Sequence, residues 1–175
     1  MMQPSTDHPP SRKPGEHLLD SLKTIHTHLR HDLAVCRTLA DQVAAGAAPE
    51  HIRAQIESLQ TSSPLWKLRV NCLYYCRIVH THHSLEDVML FPALQRVNPD
   101  LGPIVDKLKA DHRQVSRLLD EIEASANALV VEDGASIRVR IVNALDDLAT
   151  DLLAHLAWEE EALGPTILEL DEWPY

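Results

Sequence analysis

Apolar residues recur three and four residues apart in four long segments of this chain of 175 residues. That spacing places them on one face of an α-helix. The chain has only 5 glycines and 4% aromatic residues, a composition that favours helices over a sheet. Four helices joined by short links predict an all-α fold, an up-down four-helix bundle.

Prolines, glycines and short polar runs mark the ends of the predicted helices. The first helix is predicted from about His17 to Ala45, and a short extra helix is predicted between helices 1 and 2, from Pro49 to Leu59. The proline-rich residues 1–15 predict a disordered N-terminal tail, which leaves residues 16–170 as the bundle. The remaining breaks are Ser63-Pro64, Asn98-Pro99-Asp100 and Glu132-Asp133-Gly134.

Charge and hydropathy exclude several classes of protein. The chain carries 16 Lys and Arg against 26 Asp and Glu, a formal net charge of −10, without a basic stripe. We therefore expect neither nucleic acid nor an anionic membrane as a partner. No apolar run approaches the ~18 residues of a membrane span. The odd number of cysteines (Cys36, Cys72 and Cys76) predicts buried reduced thiols and a cytoplasmic location.

Each predicted helix interrupts its apolar face with histidine, alone or together with glutamate. A buried ionisable group is costly unless it is paired or binds a metal, so these interruptions need a reason. On the first helix, His26 lies on the face formed by Leu18, Leu22, Ile25, Leu29 and Leu33. The others are His82, His83 and Glu86 on the second helix, His112 on the third, and His155 and Glu159 on the fourth.

The spacing within two of these helices favours a metal site. Residues four apart on a helix lie about 6 Å apart on the same side, so His82 with Glu86, and His155 with Glu159, each present an imidazole and a carboxylate to one point. A single buried histidine such as His112 is more often a hydrogen-bonded core residue. Four helices interrupted in the same way favour a pair of metal ions held between them.

The motifs that carry these residues resemble the hemerythrin-like (HHE cation-binding) family. They are the run from His80 to Pro92, the pair Asp111-His112, and the run from His155 to Glu161. The resemblance spans about residues 17–166. It implies a non-haem site with two iron ions, joined by an oxo or hydroxo bridge and by carboxylates. The positions that match the family's ligands are His26, His82, Glu86, His112, His155 and Glu159.

The chain departs from the oxygen-carrying members of the family on two helices. Ser116 stands one turn beyond His112, where those proteins have a second histidine, and we expect His83 to supply the missing imidazole. An alternative ligand set uses His80, His83 and Asp87. On the fourth helix the family's spacing points to Glu160, whereas helical geometry favours Glu159.

The resemblance implies a metal centre that binds O2, H2O2 or NO, with catalase-like peroxide decomposition or reduction of NO as possible activities. Its partners would be such a small ligand and an electron donor that the sequence does not identify. The alternative is a module that senses oxygen or iron, or stores iron, without turnover.

Overall fold

The computed structural model describes residues 13–45, 64–129 and 134–173, with side chains of the second range described from residue 71 onward. Within these ranges the chain forms helices and turns, without a β-strand. A π-helical turn, Glu86–Leu90, joins the second helix to the third, and a 3-10 turn, Pro99–Leu101, precedes the fourth. The helices are α1 (Glu16–Ala44), α2 (Pro64–Leu85), α3 (Phe91–Val97), α4 (Gly102–Ala128) and α5 (Ala135–Ile167).

The four long predicted helices are confirmed, since α2 and α3 form one continuous helical segment. Pro64 is the first residue of α2, as its fixed φ favours. The predicted extra helix falls within residues 46–63, which lie outside the described residues, as do residues 1–12 of the predicted tail. In the described part of the chain, no helix is both long enough and apolar enough to cross a bilayer.

Glycine is required where the start of α1 meets the end of α5. The Gly15 amide donates to the carbonyl oxygen of Leu168 at 3.2 Å. A Cβ at Gly15 would lie 1.8 Å from the carbonyl oxygen of Ile167, so any other residue would push the two helix ends apart.

The long helices form a four-membered ring in cross-section, in the order α1, α2, α4 and α5. Their apolar faces meet in two clusters at different levels of the bundle. The first cluster includes Leu18, Leu22, Phe91, Leu94, Leu108 and Leu163. The second includes Leu29, Leu33, Val79, Leu119, Leu148 and Leu152.

Chain direction alternates from helix to helix around this ring. α1 passes from the first cluster at Leu22 to the second at Leu29, and the α2–α3 segment passes back from Val79 to Phe91. α4 and α5 repeat this pair of directions. The arrangement is therefore the predicted up-down bundle.

Ile25 is one apolar residue whose placement the pattern predicted wrongly. Its side chain is 46% exposed, whereas the neighbouring His26 is fully buried. Because successive helical residues are about 100° apart, only one of the two can face the bundle centre, and in α1 that residue is His26.

The π-helical turn Glu86–Leu90 was not predicted. Pro92 has no amide hydrogen, so it cannot donate to the carbonyl of Val88 as an α-helix requires, and its ring would crowd that carbonyl. A wider turn just before the proline relieves this conflict. It adds one residue to the turn, and both Leu90 and Phe91 then face the core.

Candidate metal centre

Seven polar residues separate the two apolar clusters, and we call them the polar layer. They come from all four long helical segments, since α1 supplies one, α2 and the π-helical turn three, α4 one and α5 two. Six of them are at most 5% exposed, and the seventh, His82, has a side chain that is 10% exposed. They are the seven predicted ligands: His26, His82, His83, Glu86, His112, His155 and Glu159.

The first part of the polar layer is a three-histidine group, His83, His112 and His155. One ring nitrogen of each lies within 4.8 Å of those of the others. The Nε2 atoms of His112 and His155 are 3.1 Å apart, and the rings of His83 and His112 stack with their centroids 3.9 Å apart. His83, which the sequence offered as the source of a further imidazole, thus lies in the same group as His112 and His155.

The second part is a mixed group, His26, His82, Glu86 and Glu159, whose potential ligand atoms also lie within 4.8 Å of one another. The Nε2 of His82 is 3.1 Å from Glu86 Oε1, and the Nε2 of His26 is 3.5 Å from Glu159 Oε2. This group holds two imidazoles, one fewer than the three-histidine group.

Both carboxylates of the mixed group also face the three-histidine group. Glu86 Oε2 lies 3.5 Å from the Nε2 of His112, while its other oxygen faces His82. Glu159 Oε2 lies 3.6 Å from the Nε2 of His155 and 3.5 Å from that of His26. Each carboxylate therefore stands between two sets of imidazoles, where it could bridge two cations.

Many atoms of the polar layer lack hydrogen bonds among the described residues. They include the Nε2 atoms of His26, His82 and His83 and all four carboxylate oxygens of Glu86 and Glu159. An unsatisfied buried polar atom costs about 1–3 kcal/mol, so seven such atoms close together favour a bound group that satisfies them. A cation satisfies lone pairs of nitrogen and oxygen at once, and the residues present fit that role.

Protonation in the polar layer agrees with this interpretation. Burial lowers the pKa of His82 to about 3, of His112 to about 2 and of His155 to about 4, so these imidazoles are neutral. Burial also raises the pKa of Glu159 to about 8, and raises that of Glu86 with a contribution from the charge of Glu159. A metal ion binds imidazoles in their neutral form. It would also supply the positive charge that the two buried carboxylates lack.

A second set of carboxylates orients the histidines from outside. Glu160 accepts a hydrogen bond from His26 Nδ1 at 2.8 Å, and Asp87 accepts one from His112 Nδ1 at 3.0 Å. Asp111 Oδ2 lies 3.7 Å from His155 Nδ1. In the first two cases the proton is held on Nδ1, which leaves the Nε2 lone pair directed into the polar layer.

These outer carboxylates also bear on the alternatives left open by the sequence. Glu160 contacts the far side of His26 and lies outside both groups, whereas Glu159 lies inside. His80 is 34% exposed and 3.5 Å from Asp120, outside both groups, and Asp87 contacts His112. The roles of Asp87 and Asp111 were missed, since reach between helices is not visible in the spacing along one helix.

The match to a family model places the chain among known proteins. The model of the hemerythrin HHE cation-binding domain matches residues 17–167. The chain belongs to this family. Its HHE domain is therefore a metal-binding domain, and the match covers all the residues of the polar layer. No curated protein and no solved structure matches the chain significantly.

Two cavities reach the polar layer of the HHE domain from opposite sides of the bundle. One, of about 340 Å³, lies between α1 and the α2–α3 segment and contacts His82 and Glu86. The other, of about 190 Å³, lies between α4 and α5 and contacts His155, with Lys107, Asp111 and Asp151 around it. The first is mainly apolar and the second mainly polar, so the two ends of the centre meet different surroundings.

The cysteines stand apart from the polar layer. Cys36, Cys72 and Cys76 are buried free thiols in the second apolar cluster. Burial raises the pKa of Cys76 to about 12, and its Sγ donates to the carbonyl oxygen of Leu119 at 3.6 Å. The Cys76 thiol is therefore protonated, and all three side chains pack in the apolar cluster, as predicted.

Proposed function

We propose that this HHE domain binds two iron ions, one at the three-histidine group and one at the mixed group, with Glu86 and Glu159 and an oxo or hydroxo group between them. The observation that carries the proposal is the position of the two carboxylates. Each faces imidazoles of both groups, at distances of 3.1–3.6 Å. Imidazole and carboxylate donors suit iron among the first-row metals.

The two positions are unequal, which bears on where a ligand would bind. The three-histidine group offers three imidazoles, and the mixed group offers two. With the carboxylates shared, the mixed group leaves more room for an external ligand, and the 340 Å³ cavity opens onto that side through His82 and Glu86. We therefore place the binding of O2, H2O2 or NO at the mixed group.

When bound in the ferrous state, two iron ions supply one electron each and Lewis acidity to such a ligand. The chain's own residues hold the centre and control access to it. Glu160 and Asp87 keep the protons of His26 and His112 on the outer nitrogens, so that the inner nitrogens stay free. The apolar side chains of the cavity limit the entry of water and ions.

This arrangement supports redox chemistry of a small ligand, namely peroxide decomposition or NO reduction. In NO reduction an electron donor from outside the chain would restore the ferrous state, whereas in peroxide decomposition a second H2O2 would supply the two electrons and leave as O2. The alternative, an oxygen or iron sensor or an iron store without turnover, uses the same centre. We favour turnover because the open side of the centre leads to a cavity large enough to exchange ligands.

Metal analysis combined with an electronic spectrum tests the proposal. The full-length protein expressed in iron-rich medium is expected to hold two irons per chain and to show charge-transfer bands of a bridged ferric pair. Loss of these bands on anaerobic reduction, and their return with H2O2, would support the redox role. One iron or none per chain would overturn the assignment of two iron ions. Two irons without turnover of peroxide or NO would favour the sensing or storage alternative.

A further inference from the structure

The cavity beside the mixed group is far larger than the ligands considered so far. Its volume of about 340 Å³ is roughly ten times the ~30 Å³ that a water molecule occupies in the liquid. A diatomic molecule or H2O2 would fill a small part of it. Volumes of about 300 Å³ and more are typical of pockets that hold organic ligands.

The walls of this cavity are apolar. Its lining consists of His82 and Glu86 from the polar layer and six apolar side chains: Leu22, Ile25, Leu85, Met89, Leu90 and Trp173. Among the described residues, no lysine, arginine or aspartate lines the cavity. Away from the polar layer it therefore suits the apolar, uncharged part of a molecule.

The exposure of the lining residues distinguishes the mouth of the cavity from its floor. Ile25, Leu85 and Met89 are 46%, 54% and 39% exposed and form its mouth. Leu22 and Glu86 are each 3% exposed and form its floor, next to His82. A molecule that enters here meets apolar side chains first and the metal centre last, so its reactive group must be at one end.

We propose that this cavity binds an alkyl hydroperoxide, with the alkyl group against Ile25, Leu85 and Met89 and the hydroperoxide group towards His82 and Glu86. The inference rests on the two iron ions of the proposed function and names a larger substrate for the same centre. A hydroperoxide carries the apolar group and the O–O bond in one molecule. Oxidation of a hydrocarbon would instead require the hydrocarbon and O2 in the cavity together.

The reaction balances with the electrons of the proposed centre. The O–O bond of R–O–OH breaks, and the substrate takes up two electrons and two protons to give R–OH and H2O. One electron comes from each of two ferrous ions, which become ferric, and the protons come from solvent. One hydroperoxide is therefore consumed for every two ferrous ions in a single turnover.

Binding is tested without turnover in the full-length protein loaded with Zn²⁺, which is redox-inert. Only three methionines occur in the chain, so the ¹³C-methyl signal of Met89 is readily assigned with a Met89→Leu variant. Titration with straight-chain alcohols from 1-propanol to 1-hexanol is expected to shift this signal. The affinity should rise about fourfold per added methylene, as burial of apolar surface predicts.

Turnover is tested by single-turnover oxidation of the ferrous protein with cumene hydroperoxide and with H2O2. We expect the rate constant for cumene hydroperoxide to be at least ten times that for H2O2. Ile25→Trp, which fills the mouth, should lower the ratio of the two rate constants at least tenfold. Val139→Trp is the matched control, because Val139 is 52% exposed and lies outside the cavity, and it should leave the ratio unchanged.

The outcomes separate this inference from the function on which it rests. If H2O2 oxidises the ferrous protein but cumene hydroperoxide is no faster and Met89 does not respond to the alcohols, the inference is wrong and the two-iron function stands. If neither peroxide oxidises a protein that holds two ferrous ions, both are wrong. A Met89 response that follows chain length, together with a ratio that falls in Ile25→Trp alone, supports the inference.

Discussion

Glu160 holds the outer nitrogen of His26, with Oε1 2.8 Å from Nδ1, while the inner nitrogen of the same ring faces Glu159. Arg30 donates to the same oxygen of Glu160 at 2.9 Å and keeps the carboxylate in place. Two consecutive glutamates of α5 thus have different tasks, one inside the polar layer and one behind it.

Removing the outer carboxylate should weaken metal binding without removing a ligand. Glu160→Ala is expected to lower the affinity for metal about 10- to 100-fold, because His26 loses the acceptor that fixes its ring and its proton. Glu161→Ala, at an exposed neighbouring position, is the control and should have no effect. Competition with a chelator of known affinity measures both. Equal affinities in the two variants would contradict the role assigned to Glu160.

The choice between His82 and His80 can be tested by metal content. His82→Ala is expected to lower the content from two metal ions to about one per chain, since the mixed group then keeps a single imidazole. His80→Ala should keep two, because that side chain is 34% exposed and lies outside both groups. Metal analysis of the two purified variants distinguishes these outcomes. The reverse result would favour the ligand set of His80, His83 and Asp87.

The metal-free protein should be most stable near pH 6.5. Burial lowers the pKa of His82, His112 and His155 from 6.5 to about 3, 2 and 4, so their contribution is present above pH 6.5 and is lost as the pH falls below it. Burial raises the pKa of Glu159 from 4.5 to about 8 and raises that of Glu86, so stability is also lost as the pH rises towards 8. Each proton that is bound in only one of the two states, folded or unfolded, changes the free energy of unfolding by about 1.4 kcal/mol per pH unit.

Urea unfolding of the metal-free and metal-loaded proteins between pH 4.5 and 8 measures this dependence. Bound metal requires both carboxylates in the ionised form, so the loss of stability between pH 6.5 and 8 should disappear on loading. A metal-free protein whose stability rises steadily from pH 6.5 to 8 would contradict the protonated state inferred for Glu159.

Packing on α5 can be tested with two adjacent leucines. Leu152 is fully buried in the second apolar cluster, whereas Leu153 is 38% exposed. Leu152→Ala should lower the free energy of unfolding by about 2–5 kcal/mol, the cost of a buried leucine and the space it leaves. Leu153→Ala should cost under about 1 kcal/mol. Thermal or urea unfolding of the metal-loaded variants measures both, and similar losses would place α5 in a different rotation.

The sequence predicted the bundle and the polar layer because both follow from the period of a single helix. His26, His112 and His155 fall on apolar stripes that can be read without a partner helix. The π-helical turn had a signal in Pro92, whose missing amide hydrogen disfavours a regular α-helix, but the spacing rule assumes a constant period. Ile25 was misplaced because it lies at the edge of its stripe.

The outer carboxylates could not be predicted for a different reason. Asp87, Asp111 and Glu160 each approach a histidine on a neighbouring helix, so their roles depend on the rotation and the separation of two helices. Those quantities are set by packing of side chains throughout the bundle. A pattern along one helix contains no measure of them.

The polar layer lies between two apolar clusters, and this fixes the axial register of the four helices. If one helix slid by a single turn, about 5.4 Å, leucines would still meet leucines in both clusters, but a histidine or glutamate would enter apolar surroundings and a leucine would enter the centre. Apolar packing alone tolerates such slips, whereas metal ligands do not. Metal bound at the polar layer would therefore favour this axial register of the four helices over other registers that bury a similar apolar surface.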